Sequence, residues 1–178
     1  ISKDTRIPMS RNAAAEPPTN IALRPGDSLT VDQAVRALVT RSANDAATAV
    51  AEFLGGSEAK FASMMTAKAR QLGMSRTTFK NAHGLPNSQQ KTTARDMAKL
   101  SIALREHYPQ YYSYFQTKSF TYKKRRYGNH NRLLGRVKGV DGIKTGYTRA
   151  SGFNLASSVQ ANGRSIVAVV MGGRTSRS

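Results

Sequence analysis

The chain has 178 residues, a length that suits one domain with a hydrophobic core and is short for two. Its 28 Lys and Arg against 10 Asp and Glu give a net charge of +18, which favours attraction to anionic polymers without specifying any chemistry. The lack of Cys excludes disulfides, thiolate metal ligands and a cysteine nucleophile, and no apolar run reaches the roughly 20 residues that span a membrane.

The first half of the chain carries helical spacing. Residues 1–28 are rich in turn-forming residues, and we expect a loop-like entry there. Thr30 and Gln33 match the pattern of a capping box, which predicts a helix to about Thr40. Apolar side chains recur at helical spacing beyond it and predict further helices at 46–54, at 57–72 and after a cap at Thr93. The region 30–107 is therefore predicted to be mainly helical.

The second half changes to strand patterns. The segment KSFTYKK, residues 118–124, has the aromatic and β-branched content of a strand, and residues 152–173 read as two strands joined by an Asn-Gly turn. The second arm of that hairpin is almost continuously apolar, so we expect cover on both of its faces, with helices packed against the sheet. The region 117–173 is predicted to be mainly β-sheet, and residues 1–178 to form a single domain.

Two short motifs have the chemistry of a peptide-recognition site. Ser42 and Asn44 belong to the tripeptide SAN, and Lys144, Thr145 and Gly146 form KTG. A Lys ammonium attracts a carboxylate, a Thr hydroxyl donates a hydrogen bond to it, and Gly lacks the Cβ that would block a substrate lying along the strand. Either motif alone is weak, because SAN also suits a helix break and a Lys on an edge strand deters aggregation.

The two motifs lie within flanks that resemble one family in order and spacing. The segments are ALVTRSANDAATAVAEFLGGSEAKF, ARQLGMSRTTFKNAHGLP, TTARDMAKL, YGNHNRLLG and GVDGIKTGYTRASGFNLASS. With SAN and KTG, they closely resemble the serine D-alanyl-D-alanine carboxypeptidases, which are low-molecular-mass penicillin-binding proteins. The resemblance implies an α/β fold of the α+β type, a DD-peptidase and β-lactamase-like antiparallel sheet flanked by helices. It also implies cleavage of the terminal D-alanine from peptidoglycan stem peptides through an acyl-serine, without a cofactor.

The resemblance also implies roles for individual residues. Ser42 matches the hydroxyl that relays a proton between the nucleophile and the leaving amine, and Asn44 matches the amide that orients the catalytic lysine and the substrate. Lys144 and Thr145 match the residues that bind the terminal carboxylate, and Gly146 leaves room for it. In this family the residue after the Gly of KTG donates its backbone N–H to the oxyanion hole. The resemblance therefore implies this role for the main chain of Tyr147.

One element of the family pattern is missing. The nucleophile is the Ser of an SxxK motif that precedes SxN, and residues 1–41 contain no such motif. The later SEAK, Ser57 to Lys60, follows SxN and Gly55-Gly56, so Ser57 is interpreted as a helix cap. We therefore expect the chain to be an incomplete catalytic domain that lacks the N-terminal strands and the nucleophile helix, and to need that segment as its partner.

Three alternative functions can be compared with this interpretation. A class A β-lactamase needs a Glu that activates the deacylating water, yet no Asp or Glu lies between Glu58 and Asp96. A basic module that binds nucleic acid is suggested by the charge and by KKRR at 123–126, but no base-stacking motif supports it. A non-catalytic module that binds wall polymer stays open.

The remaining expectations concern metals, ligands and location. The three His residues show no metal-ligand spacing, and no metal site is predicted. The resemblance implies peptidoglycan stem peptides as substrate, β-lactam antibiotics as covalent inhibitors, no specific nucleic acid, and a place in the periplasm or at the extracytoplasmic face of a bacterial envelope.

Overall fold

A computed structural model describes residues 1–176, in which the helices lie before residue 117 and all but two short antiparallel strands lie after it, as expected for an α+β protein. Among these residues, no helix is both long and apolar enough to pass through a membrane. The elements in chain order are β1 (Arg6–Pro8), α1 (Arg11–Ala14), β2 (Ser28–Thr30), α2 (Val31–Arg41), α3 (Asn44–Gly55), α4 (Glu58–Gln71), α5 (Ala94–His107), α6 (Pro109–Tyr112), a 3-10 turn (Ser113–Gln116), β3 (Ser119–Tyr122), β4 (Arg125–Gly128), β5 (Val140–Thr148), β6 (Gly152–Ala161) and β7 (Arg164–Gly173).

The chain forms two compact units that interleave along the sequence. Unit 1 comprises Ile1–Met65, Phe79–Gly84 and Thr117–Asn129, and unit 2 comprises Thr66–Thr78, Leu85–Gln116 and His130–Ser178. The first therefore combines helices α1 to α3 with the β3–β4 hairpin, and the second combines α5 with the β5–β6–β7 sheet. A single domain with helical and sheet regions at 30–107 and 117–173 stays a prediction.

Unit 1 begins with a two-stranded ribbon that the sequence did not predict. Strand β1 pairs antiparallel with β2, with Ile7 opposite Leu29, and both of these side chains enter the apolar core. The predicted loop-like entry is wrong at this ribbon, because three-residue strands carry too short an alternation to be recognised. The capping box is confirmed: Thr30 Oγ1 accepts from Gln33 N–H, and Gln33 Oε1 accepts from Thr30 N–H.

The β3–β4 hairpin completes the core of unit 1. Its predicted strand is shorter than the sequence suggested, because Lys123 and Lys124 have φ values of 44° and 65° and form the turn. Phe120 and Tyr127 are opposite each other in the ladder and pack into the same core as α2 and α3. The Tyr127 hydroxyl also donates to the carbonyl of Ile21 at 3.1 Å.

The sheet of unit 2 confirms the predicted hairpin. Strands β6 and β7 pair from Phe153↔Gly173 to Ala161↔Arg164 around Asn162-Gly163, whose φ values of 51° and 73° suit a tight hairpin turn. Strand β5 pairs with the other side of β6, so the order is β5-β6-β7 and β5 lies at an edge of this sheet among the described residues.

The expectation that β7 is covered on both faces is wrong for the described residues. Val167 and Val169 are partly buried, and α5 packs against the strand. The alternate side chains are open, with Ile166 62% and Val170 53% exposed. A continuous apolar run does not by itself require two covered faces, because helix α5 can pack on only one of them.

Candidate active site

Ser42 follows α2 in a left-handed conformation, with φ 56° and ψ 45°. Such a backbone is uncommon outside glycine and often marks a functional position. Its N–H donates to Leu38 O and its carbonyl accepts from Thr19 Oγ1 at 2.9 Å. The Ser42 hydroxyl makes no hydrogen bond within residues 1–176, so it is available to a ligand or to another segment.

Asn44 starts α3 and is 95% buried, with 5% of its surface exposed. Its Nδ2 donates to Pro17 O at 2.9 Å and its backbone N–H donates to Thr19 O at 2.8 Å. Its Oδ1 accepts no hydrogen bond from the part of the chain that the structure describes. The amide is therefore fixed at one end and can accept from a lysine ammonium at the other.

Asp45 binds the backbone at Ile21 and Leu23, shortly after the residues that contact Ser42 and Asn44. The sequence did not predict this role. The buried Asp45 carboxylate accepts from the backbone N–H groups of Ile21, Leu23 and Ala46 at 2.9 to 3.3 Å. These bonds satisfy amides that would otherwise be buried without partners. The Asp that follows SAN was the available signal, because an acidic residue in a first helical turn often caps backbone N–H groups.

The KTG residues lie together on β5 in unit 2. Thr145 is opposite Leu155 and Gly146 is opposite Asn154 in the ladder with β6. A Cβ built on Gly146 would meet no heavy atom within 4 Å, and its φ is not positive, so neither packing nor backbone conformation requires glycine there. The space beside this edge strand can admit an extended ligand.

Lys144 is partly buried beside that space, and its Nζ donates to Thr145 O at 2.8 Å. Burial lowers the pKa of Lys144 to about 8. The ammonium is therefore still mainly protonated at pH 7 and can attract a carboxylate, while its desolvation strengthens such an attraction.

Tyr147 is 61% exposed and its ring packs against Phe153, with 4.5 Å between the ring centroids. Tyr147 is opposite Phe153 in the ladder of β5 with β6, so the sheet holds its backbone while its side chain stays exposed. This geometry permits a role for its main chain, which stays a prediction.

A buried ionic network anchors the start of β5 and was not predicted. Arg105 Nη2 donates to both carboxylate oxygens of Asp141 at 2.8 and 2.6 Å. Ser158 Oγ donates to the same carboxylate at 2.6 Å, and Tyr112 OH donates to Ser158 Oγ at 2.9 Å. The guanidinium also lies 4.2 Å from the centroid of the Tyr112 ring. The network fixes the strand three residues before Lys144.

Gly142 has a structural role at the same point of β5. A Cβ there would lie 3.1 Å from Phe115 Cβ and 3.2 Å from Ser158 Oγ, so only glycine fits without displacement. Its carbonyl accepts from Asn131 Nδ2 and from Ser157 Oγ. The two glycines of DGIKTG therefore differ, because Gly142 is needed for close packing and Gly146 is not.

Ser57 is placed as the sequence indicated. Its Oγ accepts from Lys60 N–H at 3.2 Å, which is the bond of a residue that caps a helix, here α4. The Ser57 hydroxyl is used by a backbone amide and not paired with the Lys60 ammonium. SEAK therefore lacks the serine–lysine contact of a nucleophile and its base.

A separate side-chain cluster could hold a metal ion. One oxygen each of Glu16 and Glu58 and a ring nitrogen of His83 lie within 4.8 Å of one another, all in unit 1. The sequence does not predict this cluster, because its members come from three separate segments of the chain.

The residues predicted from the sequence thus form two local groups. Ser42 and Asn44 lie together at the α2–α3 junction, and the KTG residues and Tyr147 lie together on β5. A family model for D-alanyl-D-alanine carboxypeptidases, Peptidase_S11, matches residues 1–175 of the chain. The chain belongs to this carboxypeptidase family.

Curated relatives agree with this family. The D-alanyl-D-alanine carboxypeptidase DacC of Escherichia coli is 40% identical over 87% of this chain and 39% of its own length. DacF of Bacillus subtilis is 35% identical over 98% of this chain and 46% of its own length. The chain therefore spans less than half the length of these carboxypeptidases.

Solved structures of penicillin-binding proteins have the same fold. Penicillin-binding protein 5 of Haemophilus influenzae matches with a TM-score of 0.94 and 30% identity over 99% of this chain and 53% of that one. Penicillin-binding protein D2 of Listeria monocytogenes, solved in an ampicillin-bound form, matches with a TM-score of 0.86 and 29% identity over 99% of this chain and 72% of that one. These matches confirm the predicted DD-peptidase fold class.

Proposed function

We propose that this chain supplies the SxN and KTG parts of a serine D-alanyl-D-alanine carboxypeptidase, which removes the terminal D-alanine of peptidoglycan stem peptides. The observation that carries the proposal is the KTG edge of β5, where a partly buried Lys144 lies beside open space at Gly146. Lys144 and Thr145 bind the terminal carboxylate of the peptide, which lies along the strand. Membership of the D-alanyl-D-alanine carboxypeptidase family supports acyl transfer at a D-alanyl peptide bond as the reaction.

The catalytic step needs a serine that SAN does not provide. Ser42 Oγ relays the proton to the leaving amine, and Asn44 Oδ1 accepts from the general-base lysine, in line with their unused hydrogen-bonding capacity. The backbone N–H of Tyr147 donates to the oxyanion that forms during acylation. The nucleophile is the Ser of an SxxK segment outside these 178 residues. The complete protein that contains both this chain and that segment is called the full-length protein.

The same reaction predicts partners and location. A β-lactam acylates the nucleophilic serine, and the covalent complex is long-lived because the stretch between Glu58 and Asp96 offers no carboxylate to activate a deacylating water. Peptidoglycan lies outside the cytoplasmic membrane, so the full-length protein acts at the periplasmic or extracytoplasmic face of the bacterial envelope. We expect no specific binding of nucleic acid, and the net charge of +18 favours attraction to anionic polymers in general.

The substitution Gly146→Ala tests the proposed path of the substrate. We expect it to lower D-alanine release from a pentapeptide by roughly 10- to 100-fold in the full-length protein, because the added methyl occupies the space beside the strand. The measurement is the kcat/KM for D-alanine release, with the unfolding midpoint as a check on folding.

Gly128→Ala is the matched control. A Cβ at Gly128 also meets nothing within 4 Å, and Gly128 lies on β4, away from the KTG strand in sequence. Both variants should fold normally and only Gly146→Ala should lose activity. Equal activity of the two variants would refute the substrate path. Rapid turnover of a chromogenic cephalosporin by the unaltered protein would instead identify a β-lactamase.

A further inference from the structure

Unit 1 contains a cluster of two carboxylates and an imidazole outside the KTG and SAN groups. Glu16 follows α1, Glu58 lies in the first turn of α4, and His83 lies in the turn that precedes Leu85. His83 Nε2 is 3.1 Å from Glu58 Oε1 and 3.6 Å from Glu16 Oε1. The exposed fractions of the three side chains are 7% for His83, 13% for Glu16 and 24% for Glu58.

The charge around this cluster is unusual for so basic a chain. Although 28 Lys and Arg are present, none of them forms a salt bridge with Glu16 or Glu58 within the described residues, and both carboxylates lie against the imidazole of His83. Two carboxylates withdrawn from water repel each other and are costly without a compensating cation. A divalent ion between them would provide that charge.

We propose that Glu16, Glu58 and His83 bind one Zn²⁺ ion. With zinc–ligand distances of about 2.0–2.1 Å and tetrahedral angles, neighbouring ligand atoms lie about 3.3–3.4 Å apart. The observed separations of 3.1 and 3.6 Å lie on either side of this value. A mixed set of one nitrogen and two oxygens suits Zn²⁺ better than Ca²⁺ or Mg²⁺, which prefer oxygen alone.

Neighbouring groups hold both carboxylates in place. Thr48 Oγ1 on α3 donates to Glu16 Oε1 at 2.9 Å, and the Ala82 N–H donates to Glu58 Oε1 at 3.0 Å. Each carboxylate oxygen can accept such a bond and still offer a lone pair to a metal. Partners of this kind orient metal ligands and typically change metal affinity by about 10- to 100-fold when removed.

The ion would join three segments of unit 1 that are far apart in sequence. It connects the chain after α1, the start of α4 and the turn at residues 81–84. Zinc in this position stabilises unit 1 and takes no part in the chemistry at KTG. The proposal is therefore independent of the carboxypeptidase reaction.

Calorimetric titration of the metal-free full-length protein with zinc chloride tests this site. We expect one equivalent to bind, and the unfolding midpoint to rise by roughly 5–10 °C at about 100 times Kd. His83→Gln and Glu58→Gln should each weaken binding by more than about 100-fold, and Thr48→Val should weaken it by about 10- to 100-fold. Glu58 is the most exposed ligand, so Glu58→Gln decides the result if His83→Gln does not fold.

Glu52→Gln and His107→Gln are the matched controls. Glu52 accepts from Asn12 Nδ2 on the same unit, and His107 lies at the exposed end of α5. Both controls should bind zinc like the unaltered protein. Absence of saturable zinc binding, binding unchanged by Glu58→Gln, or a preference for Mg²⁺ or Ca²⁺ over Zn²⁺ would each overturn the proposal.

Discussion

Replacing Arg105 with alanine will lower the free energy of unfolding by about 3–5 kcal/mol, because it leaves the Asp141 carboxylate buried without its cation. The variant also loses the contact of the guanidinium with the Tyr112 ring. For a chain of this size the unfolding midpoint should fall by roughly 6–20 °C. Urea unfolding followed by circular dichroism measures the change.

Lys123→Ala provides the comparison for an exposed pair. Lys123 Nζ lies 2.7 Å from Asp27 Oδ1, but 57% of the Lys123 side chain is exposed, so its loss should cost less than about 1 kcal/mol. A similar small cost for Arg105→Ala would mean that the Asp141 network does not anchor β5. We expect a large loss of unfolding free energy for Arg105→Ala and not for Lys123→Ala.

Replacing Lys144 with alanine will reduce the rate of penicillin acylation of the full-length protein by about 10- to 100-fold. The reason is the loss of a charge-assisted hydrogen bond to the carboxylate that penicillins share with the peptide substrate. Acylation by labelled benzylpenicillin under second-order conditions gives the rate. Thr121→Ala, on strand β3 of the other unit, should acylate normally.

The ionisation of Lys144 gives this prediction a pH signature. The pKa of Lys144 in the folded protein is about 8, below the ordinary lysine value of 10.5. The positive charge of Lys144 is therefore lost as pH rises through 8, and acylation should fall above that pH. Lys144→Arg should move this fall in acylation to higher pH, because a guanidinium stays charged. An acylation profile of Lys144→Ala identical to that of the unaltered protein would contradict the role of Lys144.

The same pKa shift affects folding stability. Between pH 8 and 10.5 the unfolded chain binds more protons than the folded chain, so the free energy of unfolding should rise with pH in this range. Lys144→Ala should remove that rise.

The sequence predicted most helices and the hairpin because their signals are local. The capping box at Thr30 and the Asn162-Gly163 turn each specify backbone geometry within four residues. The SAN and KTG groups were predicted from short motifs whose flanks match one family. Their local geometry agrees with the proposed roles, although those roles stay predictions.

The features that escaped prediction depend on residues far apart in sequence. Arg105 and Asp141 are 36 positions apart, and no local pattern distinguishes their pair from the many other charges. The three carboxylate and imidazole groups of the proposed zinc site are likewise brought together by tertiary packing alone. The exposed face of β7 was mispredicted because hydropathy reports how apolar a strand is and not what packs on each face.

The proposed mechanism depends above all on which serine reacts. Intact-mass and peptide analysis of the full-length protein after brief exposure to benzylpenicillin identifies that serine directly. We predict one adduct, on the Ser of an SxxK motif outside these 178 residues, with little adduct in the Lys144→Ala variant over the same time. An adduct on Ser42 or Ser57, or acylation of the 178-residue chain alone, would contradict the account.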